Sequence, residues 1–556
     1  MYLRASVSSL LRRIRRFPSG SITVKTPPAV AANLGALPLY ANTMNCSYPV
    51  HGFAGRNSYG YVSLWCMAYA QAAIFLGICS DPIFAEGNSV ESKSGDDPED
   101  AETIGLRRVD DGSVISNEHT MKWRIFTDNG RDSFSKGKLE EAEKFFLSAL
   151  KEAKKGFGER DAHVASACNN LAELYRVMKA FDKAEPLYLE AVKILKDSFG
   201  PEDIRVGAAF HNLGQFYLVQ RKLEDARSCY EQALKIKGRV LGFNHTDYAN
   251  TMYHLGKVLD LQGKDKESEA FIVDSIRILE EGGEEQSILY TRRLRHLAQL
   301  YLKSNRLLDA ETIQRKILHT MELLKGWDAL DTVMAAEVLA LTLQSTGKLR
   351  EAYELLERCL DARKRLLPED HIQIGANMLH LARVAMQYSD QLKNRSISDA
   401  TILLDKAKYF LENCIRITKQ VLRKVTRRKT WFSKEDSAES RRNARIAMII
   451  LMQSLDSLGL LEVTRQESLD SREGSAPVAE AENAFLGCID AYKEFGQEGS
   501  ASGSIEVRNE YLSCLKHLLS LLSDGAQAAR PPRKVTVQEL KDEIGHIESE
   551  ISMARR

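Results

Sequence analysis

Apolar residues recur along the middle of the chain at three- and four-residue spacing, as in Leu171, Leu174 and Tyr175, the mark of helices with one buried face. That pattern itself returns every 42 residues. Its marker is a leucine, at Leu171, Leu213, Leu255, Leu297, Leu339 and Leu381. The next residue is always small: Ala172, Gly214, Gly256, Ala298, Ala340 and Ala382. A small side chain at a fixed place lets a second helix approach to the usual axis separation of about 8–10 Å. A second segment in each period carries Ala142, Ala184, Ala226, Ser268, Ala310 and Ala352. Seven residues on come Ala149, Ala191, Ala233, Ser275 and Cys359, with Ile317 the exception. Between them Phe146, Tyr188, Tyr230, Ile272 and Leu356 supply the bulk that close packing demands. Each period therefore predicts two amphipathic helices packed on each other.

The turns fall in the same register. Gly137, Gly263, Asn305 and Gly347 precede the second helix, where a left-handed backbone costs Gly and Asn little. Lys179 and Arg221 hold the same place less comfortably. Gly158, Gly200, Gly242, Gly326 and Pro368 end the units. A fixed period of this size is the signature of a solenoid, in which each unit buries its apolar face only against its neighbours. The marker leucine, the small residue after it, Tyr175, Tyr217 and Tyr301, and the two later alanines fall at the spacing of the tetratricopeptide repeat. The chain resembles that family from roughly Trp123 to Leu422. The usual repeat has about 34 residues. The 42-residue form, with segments such as FGERDAHVASACNNLAELY and LGFNHTDYANTMYHLG, is similar to the repeats of kinesin light chains. The resemblance implies an all-α fold: a right-handed α-solenoid of helix-turn-helix repeats with a helical C-terminal cap. It also implies a protein or peptide partner. The coiled-coil heptads that join kinesin light chains to the motor are not visible in the sequence.

Composition changes the picture mainly at the front of the chain. The 556 residues are 44% hydrophobic and carry a net charge of +1, a balance that gives no reason to expect nucleic acid. Residues 1–80 nevertheless contain no Asp or Glu. Within 1–60, MYLRASVSSLLRRIRRF sets Leu3, Val7, Leu10, Leu11 and Ile14 to one side of a helix, with Arg4, Arg12, Arg15 and Arg16 more to the other. That is the basic, acid-free, amphipathic form of a transit peptide. The early arginines favour a mitochondrion; the acid-free stretch through Ser21, Thr23 and Thr26 makes a plastid the alternative. Residues 61–80, YVSLWCMAYAQAAIFLGICS, are uncharged and long enough to cross a membrane core of about 30 Å, with Trp65 suited to its interface. The alternatives are a sorting signal cleaved near Phe84–Ala85 or a remnant of the presequence. Arginines before a span and acids after it place the repeats on the far side from the N-terminus. In a mitochondrion that means the inner membrane, facing the intermembrane space. Residues 81–120, centred on GDDPEDAE, read as an acidic disordered linker ahead of a solenoid of six to seven repeats at 121–423.

Past Leu381 the register loosens. Roughly thirteen extra residues near SDQLKNRSISDAT precede a helix marked by Ala407 and Cys414. Residues 424–440 read as a basic loop and 441–556 as a degenerate repeat and helical cap. Helices are expected over 444–459, 479–495, 511–522 and 537–553, the last of which also fits a dimerisation helix.

No feature calls for catalysis, a cofactor or a metal. The sequence has no glycine-rich phosphate loop, no H-E-x-x-H and no nucleophile elbow. Its nine cysteines form no C-x-x-C pair, and Cys168, Cys229, Cys359 and Cys414 read as packing residues. His254, His296 and His380 share one repeat position, but successive units would hold them on the order of 10 Å apart, too far to share a metal. That position, just before the marker leucine, holds Asn170, Asn212, His254, His296, Val338 and His380. In the family this chain resembles, the first helix lines the concave groove. The Asn and His ladder is therefore expected to hydrogen-bond the backbone of an extended peptide. Glu173, Gln215, Lys257, Gln299 and Arg383 lie three residues on and share that face. The resulting reading is a non-enzymatic scaffold or adaptor, targeted to an organelle, anchored in a membrane through 61–80, and serving assembly or maintenance of a membrane complex. The alternatives are a cytoplasmic cargo adaptor of the kinesin light chain kind, which the acid-free N-terminus argues against, and an enzyme whose repeats only recruit.

Overall fold

A computed structural model describes residues 117–393, 395–428, 436–468, 476–496, 504–524 and 536–555. All 18 regular elements among the described residues are α-helices, and they form an all-α helical repeat solenoid. Six pairs keep the sequence register: α1 (Glu118–Ser135) and α2 (Leu139–Phe157), α3 (Ala162–Val177) and α4 (Phe181–Phe199), α5 (Ile204–Val219) and α6 (Leu223–Val240), α7 (Thr246–Leu261) and α8 (Asp265–Glu281), α9 (Ile288–Lys303) and α10 (Leu307–Lys325), and α11 (Leu330–Ser345) and α12 (Leu349–Leu366). Longer helices follow: α13 (Ile372–Leu392), α14 (Ile397–Arg428), α15 (Asp436–Ser468), α16 (Ala476–Gly496), α17 (Ile505–Asp524) and α18 (Val537–Arg555).

All but one of the first helices start at a side-chain cap. Asp161, Asp203, His245, Ser287 and His371, all in the 42-residue register, accept a hydrogen bond from a backbone N–H two or three residues on. Such bonds satisfy donors that a helix end leaves unpaired. Ala329 occupies the same register with no side-chain cap. The first helix ends at a left-handed residue: Gly137, Lys179, Arg221, Gly263, Asn305 or Gly347, with φ from 57° to 79°. The next N–H then reaches back across the helix end, as Ala180 does to the Tyr175 carbonyl at 2.9 Å and Lys348 to Leu343 at 2.9 Å. Lys179 and Arg221 adopt this backbone despite their side chains, at φ 59° and 62°.

The small positions set the helix spacing. A Cβ on Gly214 would meet Tyr230 Cε1 at 2.9 Å, and one on Gly256 would meet Ile272 Cγ1 at 2.8 Å. Gly130 faces Phe146 in the same way, so α1 and α2 make the first pair of the array. The two serines among the small positions hydrogen-bond to carbonyls, Ser268 Oγ to Gly256 at 2.8 Å and Ser275 Oγ to Ile272 at 2.7 Å. The tyrosines at the ends of first helices do more than fill space. Tyr175 donates to Glu143 at 2.8 Å and Tyr217 to Glu185 at 3.0 Å, each carboxylate standing on the second helix of the preceding pair.

Charge alone misplaced two boundaries. The acidic stretch 81–120 runs into α1, because Asn117 and Thr120 form a reciprocal capping box that starts the helix at Glu118. The basic stretch 424–440 is helical at 424–428 and 436–440; only 429–435 lies outside the described residues. Lysines and arginines on helical turns look the same in sequence as those of a basic loop. The readings of 1–60, 61–80 and most of 81–120 also lie outside the described residues. The extra residues after Leu381 lengthen α13 to 21 residues, against 16 in α11.

Phe485 lies against Gly459, so α15 and α16 repeat the small-against-large contact of the earlier pairs. Cys488 on α16 and Cys514 on α17 are joined as a disulfide with Cα atoms 6.5 Å apart. Cys168, Cys229, Cys359 and Cys414 are buried and unbridged. Among the described residues one stretch, Arg442–Arg465 of α15, is long and apolar enough to cross a membrane. It is 72% buried inside the fold, packed with α16 and α17 in one apolar cluster, which makes it a core helix.

Candidate functional site: the face of the first helices

The open face of the first helices is best seen on α9. Ile288, Arg292, Gln299 and Leu302 are exposed and Arg295 half-exposed, a stripe at spacing three and four. The open stripe on α7 carries Asn250, His254 and Lys257, half-buried, and Leu261, exposed. On α11 it carries Met334, Val338 and Leu341, half-buried, and Ser345, exposed.

Half of the expected ladder lies on this face. Asn212, Gln215, His254 and Lys257 are half-buried and Gln299 is exposed. Hydrogen bonds tie several of them across repeats. Asn212 Nδ2 donates to Asn169 Oδ1 at 3.0 Å. Gln215 Nε2 stands 3.2 Å from His211 Nε2 and 3.4 Å from His254 Nε2. His211 Nδ1 lies 3.0 Å from Thr251 Oγ1. Burial pushes the His254 pKa well below its usual value, and the neighbouring His211 ring and the positive charges of Lys257, Arg293 and Arg292 push it the same way. His254 is therefore a neutral ring in a positive field.

The other half is corrected by the structure. Asn170, Glu173, His296, His380 and Arg383 are between 0% and 9% exposed and do not lie open on the face. Glu173 turns inward, accepting from the Tyr188 hydroxyl at 2.5 Å and from Arg176 Nε at 2.9 Å. His296 is drawn to Asp260, with Nε2 to Oδ2 at 3.2 Å, and Lys303 reaches the other oxygen at 3.1 Å. His380 is pushed down to about 4, by burial first. Arg383 is covered by α15, where its Nε donates to Ser457 Oγ at 3.3 Å. Burial lowers its pKa while the carboxyls of Glu510 and Asp456 oppose the change. Register alone cannot separate these cases, since each depends on what the next repeat places opposite.

Sequence reasoning missed Asn169, His211, Asp260, Arg292 and Arg295. Asn169, His211 and Arg295 share the register one place before the ladder, which was the available signal. His211, one register place earlier, adds a ring close to that of His254. His211 and His254 have ring centroids 5.1 Å apart, and Tyr253 lies between His254 and His296 at 5.5 and 5.7 Å.

An all-helical array with one polar, cross-linked face defines a repeat scaffold for protein–protein interaction. Tetratricopeptide-repeat family models match residues 125–197, 205–281 and 332–373. These stretches are tetratricopeptide repeats and support assignment to that superfamily, whose members are generally non-catalytic scaffolds. No curated protein sequence matches it significantly. Among solved structures, it is similar to a kinesin light chain-type protein from Podosopora anserina with nearly identical repeats, at 18% identity and a TM-score of 0.33, over 36% of this chain and 94% of that one. It is also similar to BtubC from P. vanneervenii (16% identity, TM-score 0.36, 45% and 93% covered). A third is the apo form of the quorum sensor NprR from B. thuringiensis (11%, 0.36, 78% and 98%). At these scores the likenesses carry no argument about partner or role.

Proposed function

We propose that the array is the docking part of an organelle-targeted, membrane-anchored adaptor, and that the face of its first helices takes an extended segment of a partner protein. The observation that carries this is the in-register row of half-open hydrogen-bonding side chains, Asn212, Gln215, His254, Lys257 and Gln299. Asn, Gln and neutral His each hold donor and acceptor capacity, which suits the alternating N–H and C=O groups of an extended backbone. The acid-free, arginine-bearing N-terminus and the uncharged stretch 61–80 support the address and the anchor, and assembly or maintenance of a membrane complex fits both.

A photo-crosslinking residue at Gln299 tests the use of this face. Position 299 is predicted to yield a specific partner adduct. The same probe at Leu147, an exposed residue on second helix α2, is predicted to yield none. Equal crosslinking from both positions would count against docking on the first-helix face.

A further inference from the structure

Ten arginines lie between residues 277 and 365. Seven reach a carboxylate at 2.6 to 3.9 Å, among them Arg306 with Glu269, Arg315 with Glu351 and Arg363 with Glu337. The other three are Arg292, Arg293 and Arg295, within four consecutive positions of α9. None of them has a carboxylate in ion-pair contact among the described residues. Arg293 is 1% exposed; its Nη1 donates to the Ser275 carbonyl at 2.9 Å, and its buried Nη2 has no partner among the described residues. Burial brings its pKa down to about 10, so it stays charged at neutral pH. Arg292 and Arg295 stand above it on the open stripe beside Gln299. In a chain of net charge +1 this is a local positive spot with no carboxylate in ion-pair contact; Glu284 acts on Arg293 only from further off, and the field felt by His254 has the same sign.

The next first helix, α11, presents the opposite chemistry. Its stripe is Met334, Val338 and Leu341, with no charged side chain. Ala335 of α11 shares one apolar cluster with Leu294 and Leu297 of α9, which sets the two stripes on adjacent repeats. Unpaired guanidinium groups that repel one another are relieved by an anion, and their planar forks suit carboxylates.

We infer that the first-helix face of the fifth and sixth pairs docks an acidic segment of a partner protein, with carboxylates against Arg292 and Arg295 and apolar side chains against Met334, Val338 and Leu341. This rests on the proposed use of that face and adds the chemistry of its occupant.

The test uses the full chain and a labelled synthetic peptide of glutamate and leucine, with binding followed by fluorescence anisotropy. The same peptide with glutamine for glutamate is the comparison. The glutamate peptide is expected to bind at least about tenfold more tightly, and added salt is expected to weaken it. Arg292→Glu with Arg295→Glu should lower its affinity about tenfold or more, and the milder Arg292→Gln with Arg295→Gln should lower it in the same direction. Arg124→Glu, at another exposed arginine on α1, should leave it within about twofold. Equal affinity for the two peptides, or glutamate-peptide binding that survives both arginine pairs of substitutions, would overturn the inference. Partner crosslinking from position 299 separates the two readings. If it persists undiminished in the arginine variants, acidic docking is wrong and the face reading stands. If position 299 crosslinks no better than 147, the face reading itself fails, and the acidic occupant with it.

Discussion

At Gly214 the space for a single atom decides how closely two helices lie, because an added Cβ would press on the Tyr230 ring. One methyl is tolerable in this register: Ala172 is fully buried in the same position, opposite a fully buried Tyr188. A branched side chain is not. Gly214→Val is predicted to destabilise the chain by about 1–3 kcal/mol through overpacking, read as a lower urea midpoint, while Gly214→Ala should cost less. Small and large positions were legible in the sequence because sterics within one helix pair dictate them and the pair repeats. The polar ladder was legible only as a register. Asn170 and Asn212 occupy the same place, yet one is 2% exposed and the other is half-buried and bonded to Asn169. Which of them opens onto the face depends on side chains a whole repeat away, as with Arg383 under α15.

Helix ends follow the same logic one scale up. The left-handed terminators could be read directly, since Gly and Asn mark most of them, and Lys179 and Arg221 kept the register. The N-caps are just as periodic but change from Asp to His to Ser, so no single letter announces them. Asp203 accepts from the Arg205 N–H at 2.8 Å. Asp203→Ala is expected to cost about 1 kcal/mol, and the uncapped site offers the converse. Ala329 already has the extended backbone of a cap, at φ −106° and ψ 136°. Ala329→Asp is therefore expected to gain about 0.5–1 kcal/mol. Urea titrations of the two variants would check both signs; a loss at 329 would mean that its backbone cannot use a cap. Boundaries past Leu392 were harder to place, because α14 and α15 run to 32 and 33 residues and carry their basic ends on helical turns.

For the whole molecule, the periodic core extends past the regular repeats. Successive apolar clusters run from Phe134 to Ile551, with α15 to α18 closing the C-terminal end. A buried polar seam crosses that end: His517 Nδ1 lies 2.7 Å from Asp456 Oδ1, and Gln453 Nε2 donates to Glu510 at 2.9 Å. Neither contact was legible in the sequence, since both join helices about sixty residues apart. Fold follows from the repeat, whereas the proposed partner and compartment rest on the open stripe and on the acid-free N-terminal sequence. The central claim is that this scaffold is held at a membrane inside an organelle with its docking face exposed to the intermembrane space. The most direct test is protease protection of the repeat array in isolated mitochondria, before and after outer-membrane rupture, together with alkaline carbonate extraction. The account predicts an array that is protected until rupture, digested after it, and retained in the carbonate pellet. An array digested in intact mitochondria, or a full-length chain found only in the cytosol, would contradict it.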